Sequence, residues 1–261
     1  MSKILIVPFS YDGYLFNSGS ERLRCTWLAP YLKADIYDGS QEIDNYDTLI
    51  FQKCFMKGRE IARNFKGFKI FDVCDPDWLF RPQEFKEMMD LCDVITASSE
   101  ELAKELNAYY IPDRLELKYF EPKKLQNREP WFIWFGYSGN FQHVRHLIPE
   151  YDPTLIISDQ PVGIGRFIKW GEETWLNDIK KGDIVLNPKV KYKSDNKTIT
   201  AWALGLPVAK NEEDIKRFRD YKERIKESEK NLKAIEQFNI KYSAEQFYEI
   251  IKDKNRKGTS K

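Results

Sequence analysis

Three carboxylates stand close together in FDVCDPDWLF: Asp72, Asp75 and Asp77. They close an apolar, β-rich run. The side chains at such strand ends face ligands in open α/β sheets. A carboxylate placed there can accept the proton of an attacking hydroxyl. Asp75 is the first candidate for that role and Asp77 the second. The competing local reading makes both of them turn and cap residues around Pro76.

A second stretch, GDIVLNPKVKYKSDNKTITAWALGLPVA at residues 182–209, carries a different chemistry. DIVLNP reads as a buried strand, KVKYKSDNK as a lysine-rich loop, and TITAWALG as a helix closed by Gly205 at its C′ position. Ser194, Asp195 and Asn196 are N-cap candidates for that helix. Lys193 and Lys197 flank its start. Free backbone N–H groups beside two ammonium groups make an anion site, and a nucleotide diphosphate is the natural occupant. An ordinary capped helix with solvated lysines is the plainer alternative.

Other residues could join these two groups. Gly19, lacking a Cβ, lets the backbone approach a phosphate closely. Arg22 and Arg24 begin the following helix, and the planar guanidinium suits phosphate. His143 and His146, the only histidines, lie three apart beside Arg145. No acidic third ligand is near them, so a phosphate contact from Arg145 fits better than a metal.

The elements that must position these residues alternate. Residues 3–8, 34–37, YDTLIFQKC, FKIFDVC, DVITAS and AYYIP read as strands. ERLRCTWLAPYL, GREIARNF, PQEFKEMMDLC and SEELAKELN read as helices between them. That rhythm predicts a parallel sheet covered on both faces. The polar, proline-flanked 121–130 segment reads as a linker. A second alternation follows it: WFIWFG, QHVRHLIP, TLIISD, IGRFIKW, TWLNDIKK, DIVLNP, KTITAWALG and LPVAK. Asn211–Phe238 carries apolar residues in a charged background and is expected as one long amphipathic helix. Ser243 and Gln246 form a capping-box start for a last helix. The tail KNRKGTSK is expected to be disordered.

The segment KSDNKTITAWALGLPVA resembles the donor-binding segment of GT-B glycosyltransferases of the family-4 type, in a short and divergent form. Its A-x-A-x-G-x-P-V run stands here as Ala201, Ala203, Gly205, Pro207 and Val208. KSDNK looks like the K-x-x-N-K variant of the preceding loop. SGSERLR is similar to the family's glycine loop, ITASSEELAKEL with YYIP to the end of its first lobe, and WFGYSGNFQHVRHL to the opening of its second. The resemblance covers most of the chain in the family's order. It implies two Rossmann-like lobes with a donor cleft between them, and it places Gly136, Ser138 and Gly139 in the donor site. The paired glutamates of many retaining members fall on Tyr192 and Thr200 here. The Asp75–Asp77 spacing also mimics the metal motif of GT-A transferases. The two-lobed pattern argues against that reading, and GT-B enzymes usually need no metal.

The expected organisation is therefore an acceptor lobe at 1–125, a trimmed donor lobe at 126–210, C-terminal helices at 211–254 with a long helix among them, and a tail at 255–261. The expected donor residues are Gly19, Arg22, Gly136, Ser138, Gly139, Arg145, Lys193, Ser194, Asn196 and Lys197. The expected function is metal-independent transfer of a sugar from a nucleotide-diphosphate donor to a saccharide, lipid-linked or small-molecule hydroxyl. No cofactor is expected beyond the donor. Two alternatives remain: sugar transfer to a nucleic-acid base, and an inactive nucleotide- or protein-binding relative.

Composition narrows the field. The 261 residues carry a formal net charge of +1, without the basic field expected of a nucleic-acid binder. Cys25, Cys54, Cys74 and Cys92 form no CxxC pair, which disfavours zinc. Cys54, Cys74 and Cys92 read as core residues of a reduced chain. No apolar run reaches the ~18 residues of a membrane span, and MSKILIVPFS has no signal-peptide character. A cytoplasmic location is expected.

Overall fold

The structure is a computed structural model and describes residues 2–13, 18–150 and 152–258. The chain divides into two compact units. Unit 1 comprises Met1–Glu116, Lys191–Asp195 and Asn239–Lys261, and unit 2 comprises Leu117–Val190 and Asn196–Phe238.

Unit 1 contains β1 (Ile4–Val7), α1 (Gly19–Glu21), α2 (Ala29–Leu32), β2 (Asp35–Ile36), β3 (Thr48–Gln52), α3 (Gly58–Asn64), β4 (Phe68–Val73), α4 (Pro82–Leu91), β5 (Val94–Ala97), α5 (Glu100–Leu106) and β6 (Tyr109–Tyr110). Its sheet runs β2-β1-β3-β4-β5-β6. Every pairing is parallel. The central strands are apolar at successive positions because both faces are covered. Leu5, Val7, Leu49, Phe51, Phe71 and Val73 pack against Ile61, Phe85 and Leu102 on the helices of one face. Ile4, Ile6, Ile50 and Ile70 point the other way, towards Leu28 and Leu32. Ser99 caps α5 by accepting the Leu102 N–H at 3.2 Å.

Unit 2 contains β7 (Phe132–Phe135), β8 (Thr154–Ser158), β9 (Arg166–Lys169), α6 (Trp175–Ile179), β10 (Ile184–Leu186), α7 (Asn196–Ala203), β11 (Val208–Ala209), α8 (Glu212–Phe218) and α9 (Tyr221–Ala234). Its sheet runs β11-β10-β7-β8-β9, again parallel throughout. Phe132, Trp134, Ile156, Ile184 and Leu186 pack with Phe141, Val144, Leu147 and Phe218. Gly205 has φ +71°, the left-handed geometry that ends a helix.

The chain then returns to unit 1 as α10 (Lys241–Gly258). Phe247 and Ile251 of α10 complete the apolar layer of Ile4, Ile6, Ile50 and Ile70.

Several local expectations change in the structure. The helix after the first loop contains a π turn over Arg22–Thr26, in which the Trp27 N–H donates to Arg22 O. QHVRHL forms 3-10 turns instead of an α-helix. The expected single helix over Asn211–Phe238 breaks between α8 and α9, where Asp220 caps the Lys222 N–H at 2.7 Å. Arg224 secures the break by donating to Phe218 O and Arg219 O, both at 2.8 Å. Ser243 and Gln246 do not form a capping box. Both accept from Arg114, at 3.0 and 2.6 Å. The 121–130 segment is fastened within unit 2: the Lys123 N–H donates to Leu204 O, and its ammonium pairs with Asp183. Residues 14–17 of the first loop and 259–261 of the tail lie outside the described residues, and α10 takes in the tail's first residues. Among the described residues, no helix is long and apolar enough to cross a membrane.

Candidate functional site

The strand order of unit 2 reverses at β7. β8 and β9 lie to one side of it, β10 and β11 to the other. The carboxyl ends of two strands at such a reversal leave room for a ligand. Gly136 follows β7 there and α7 begins after β10. Gly136 has φ +149°, and a Cβ added to it would stand 2.8 Å from Lys197 Cε. The backbone there favours glycine, and the end of the flexible Lys197 side chain lies against it. The Asn187 amide, just beyond β10, donates to Thr198 Oγ1 at 3.0 Å and ties the strand end to the first turn of α7.

The other expected donor residues of unit 2 divide. Ser138 is engaged by the end of β8: its N–H donates to Asp159 Oδ1 at 2.7 Å and its hydroxyl to Oδ2 at 3.2 Å. Gly139 lies under the Tyr137 ring, which a Cβ would meet at 2.8 Å. Arg145, His143 and His146 are exposed on 3-10 turns. Asn196 opens α7 and is half-buried, as is Lys197.

The expected catalytic carboxylates belong to unit 1. Asp75 follows β4 and is held by two ammonium groups: Lys53 reaches Oδ2 at 2.6 Å, and Lys193 donates to Oδ1. Burial opposes its charge, but Lys53 and Lys193 outweigh that and lower its pKa. Asp77 opens the next 3-10 turn. Its Oδ1 is 3.6 Å from Lys53, and its Oδ2 is buried without a hydrogen-bond partner. Burial raises its pKa to about 6, with the charge of Asp75 adding to the effect. Lys53 has φ +53°, an uncommon conformation for a residue with a side chain, and its ammonium lies 4.4 Å from the centre of the Phe9 ring. Burial works against that charge, yet Asp75 and Asp77 keep it protonated, above the usual lysine range.

The remaining expected residues of unit 1 serve other contacts. Lys193 is committed to Asp75. Ser194 donates to Asp113 Oδ2 at 2.6 Å. The neighbouring Tyr192 hydroxyl donates to Glu105 at 3.1 Å. Arg22 is buried, with its guanidinium 5.7 Å from the Trp27 ring centre. Gly19 has open space where a Cβ would stand.

Two features escaped the sequence reading. Arg24, expected from the sequence as a candidate phosphate contact, is instead buried in the π turn and forks onto Asp72 at 2.7 and 2.6 Å, while also donating to Asp113 at 3.0 Å. Thr96 donates to the same Asp72 at 2.6 Å. Asp72, the third carboxylate of the strand end, is thereby consumed structurally. Asp12 accepts the consecutive N–H groups of Phe55, Met56 and Lys57 at 2.8, 2.8 and 2.7 Å. The backbone anion nest after β3 is therefore filled by the chain's own carboxylate. Sequence signals existed for Arg24, an arginine amid apolar positions, but not for its partners. Among the described residues, no group of three or more His, Cys, Asp or Glu is placed to hold a metal ion.

No family model matches the chain, and no curated protein matches it in sequence. Its fold does have counterparts among solved structures. An alpha-glucosyltransferase, solved in complex with UDP and a 13-mer DNA containing a central A:G mismatch, superposes with a TM-score of 0.59 at 12% identity over 95% of each chain. The glycosyltransferase SnogD from Streptomyces nogalater aligns with a TM-score of 0.41 at 9% identity over 96% of this chain and 100% of that one. The two parallel-sheet α/β units, together with the first of these likenesses, define a GT-B-like glycosyltransferase fold.

Proposed function

We propose that the chain is a glycosyltransferase that moves a sugar from a nucleoside-diphosphate donor to an acceptor hydroxyl. The observation that carries this reading is Lys197 lying across Gly136 at the strand-order reversal of unit 2. A diphosphate there would meet an ammonium group, the first N–H groups of α7, and a backbone stripped of Cβ at Gly136. In this reading Asn196 and Lys197 contact the diphosphate, Ser138 and Gly139 shape the loop beside it, and Arg145 is a peripheral cation.

The proposed reaction balances simply. The acceptor hydroxyl gives its proton to a general base, for which unit 1 offers Asp77 as a candidate, and its oxygen bonds to the anomeric carbon. The bond from that carbon to the diphosphate oxygen breaks, and its electron pair leaves with the diphosphate. Lys197 and the α7 amides stabilise the charge that develops there. Asp77 suits the base because a carboxylate with a pKa of about 6 is mostly ionised at neutral pH yet retains appreciable basicity. Asp75, held by two lysines, is the weaker base and orients Lys53. Positive charge comes from protein groups, so no metal enters the scheme.

A second reading places the sugar on a nucleic-acid base. It is favoured by the complex with DNA of the alpha-glucosyltransferase that shares the fold, and opposed by the net charge of +1.

The test is thermal stabilisation by UDP, GDP and NAD, followed by release of nucleoside diphosphate from a donor panel. Stabilisation by a nucleoside diphosphate and not by NAD is the expected result. No stabilisation by any nucleoside diphosphate or nucleotide sugar would sink the proposal. Salt-sensitive retention on DNA would promote the second reading.

A further inference from the structure

We propose, resting on that reading, that Asp159 is a positioning residue of the donor site: its carboxylate tethers the loop after β7, so that Gly136 and Lys197 keep the geometry a diphosphate needs. All the residues concerned belong to unit 2. β7 and β8 are paired to their last turn of the ladder, with Phe135 opposite Ile157. One further ladder bond follows, from the Gly136 N–H to Ile157 O at 3.0 Å. Asp159, just past β8, then takes over the pairing. Its Oδ1 accepts the Ser138 N–H at 2.7 Å, and its Oδ2 accepts the Ser138 hydroxyl at 3.2 Å. The loop is thus gripped at alternate residues, Gly136 by a main-chain carbonyl and Ser138 by a carboxylate. The segment that carries Asp159 is itself held. Ser158 O accepts the N–H of Trp170, just past β9, at 2.8 Å, and Ser158 Oγ donates to Gln160 O.

On charge alone a carboxylate is unfavourable near a diphosphate, because like charges repel. Its place here is explained by the donors it satisfies. An ionised carboxylate accepts at both oxygens and makes stronger hydrogen bonds than a neutral acceptor, so it pins the main chain and the side chain of Ser138 together. Gly136 needs such a restraint, since glycine has the widest backbone freedom of any residue. Its φ of +149° places the loop, and the end of the Lys197 side chain lies against it. Small displacements of groups that hold a reacting ligand are costly. The two effects of Asp159 on the donor therefore have opposite signs: its hydrogen bonds favour binding and its charge opposes it.

Those opposite signs make the test. UDP affinity is measured by calorimetry on the full chain and its variants, and hydrogen exchange at the Ser138 amide reports the tether directly. D159A removes the tether, so UDP binding should weaken by about tenfold or more and the Ser138 amide should exchange faster. D159N keeps an oxygen for the Ser138 N–H, and the Ser138 hydroxyl can turn to accept from the new amide. It should keep slow exchange and bind UDP at least as tightly as the native protein. A residue serving stability alone would lower the melting temperature of both variants without moving the affinity of the folded protein. Native affinity in D159A, or an equal loss in D159N and D159A, overturns the proposal. Should D159A fail to fold, S138A serves instead: a loss of about threefold, recovered in S138T, is expected, and native affinity overturns the proposal. Failure of the native protein to bind UDP removes the donor assignment and this inference with it, whereas native binding that D159A leaves unchanged removes this inference alone.

Discussion

Asp75 and Asp77 share one ammonium group unequally: Lys53 Nζ lies 2.6 Å from the first and 3.6 Å from the second. Lys193 adds to the imbalance by pairing with Asp75. Two carboxylates two positions apart thus acquire opposite properties, one held charged and one pushed towards neutrality. Such divergence is the usual route to distinct acid–base roles.

The imbalance predicts a pH dependence. The folded-state pKa of Asp77, about 6, exceeds its ordinary value of 3.8. Its contribution to stability is therefore fully present below about pH 4 and is lost as pH rises through 6. The loss is at most about 3 kcal/mol, at ~1.4 kcal/mol per pK unit. Denaturant unfolding of native protein and D77N between pH 4 and 7 checks this. The stability gained on going to D77N should grow with pH across that window, and a constant difference would contradict the assignment.

The same carboxylate should govern turnover. D77N is expected to lower kcat by about 10²-fold or more, and native kcat/KM should rise as pH passes 6. D75N should act differently, by freeing Lys53 and Lys193, with a smaller loss of kcat and a displaced pH profile. A D77N variant with native kcat would remove Asp77 from the mechanism.

Gly136 and Lys197 should behave as a coupled pair. G136A is expected to cost about 1–3 kcal/mol, chiefly through its positive φ, with a smaller part from displacing the end of the Lys197 side chain. K197A should weaken UDP binding by about tenfold or more while leaving the fold intact. In the double variant the contact is gone, so G136A should cost less than it does alone. A thermodynamic cycle measures that coupling. Strict additivity would mean the contact carries no energy.

Arg24 should matter for stability alone. R24M leaves Asp72 and Asp113 buried without their cation, a loss of about 3–5 kcal/mol. The denaturation midpoint should fall sharply, and any soluble R24M should still bind UDP. R24K should recover only part of the loss, because a lysine cannot fork onto Asp72.

The strand–helix rhythm and both parallel sheets were legible because a strand buried on two faces must be apolar at successive positions, as in Ile4–Val7. The closure at Gly205 was legible because only glycine readily takes its φ. The helix over Asn211–Phe238 misled because Phe218, Ile225 and Leu232 keep a helical period across a break enforced by Asp220 and Arg224.

What the amino-acid order determined by itself was the local part: which runs extend, which coil, where they stop, and that carboxylates and lysines would gather at strand and helix ends. Tertiary structure alone decided their roles. It spent Asp72 on Arg24, 48 residues away, gave Lys193 to Asp75 across 118, and folded α10 into unit 1. Periodicity and propensity act over a few residues. Charge pairing and burial act through space, between groups whose separation along the chain leaves no pattern to read.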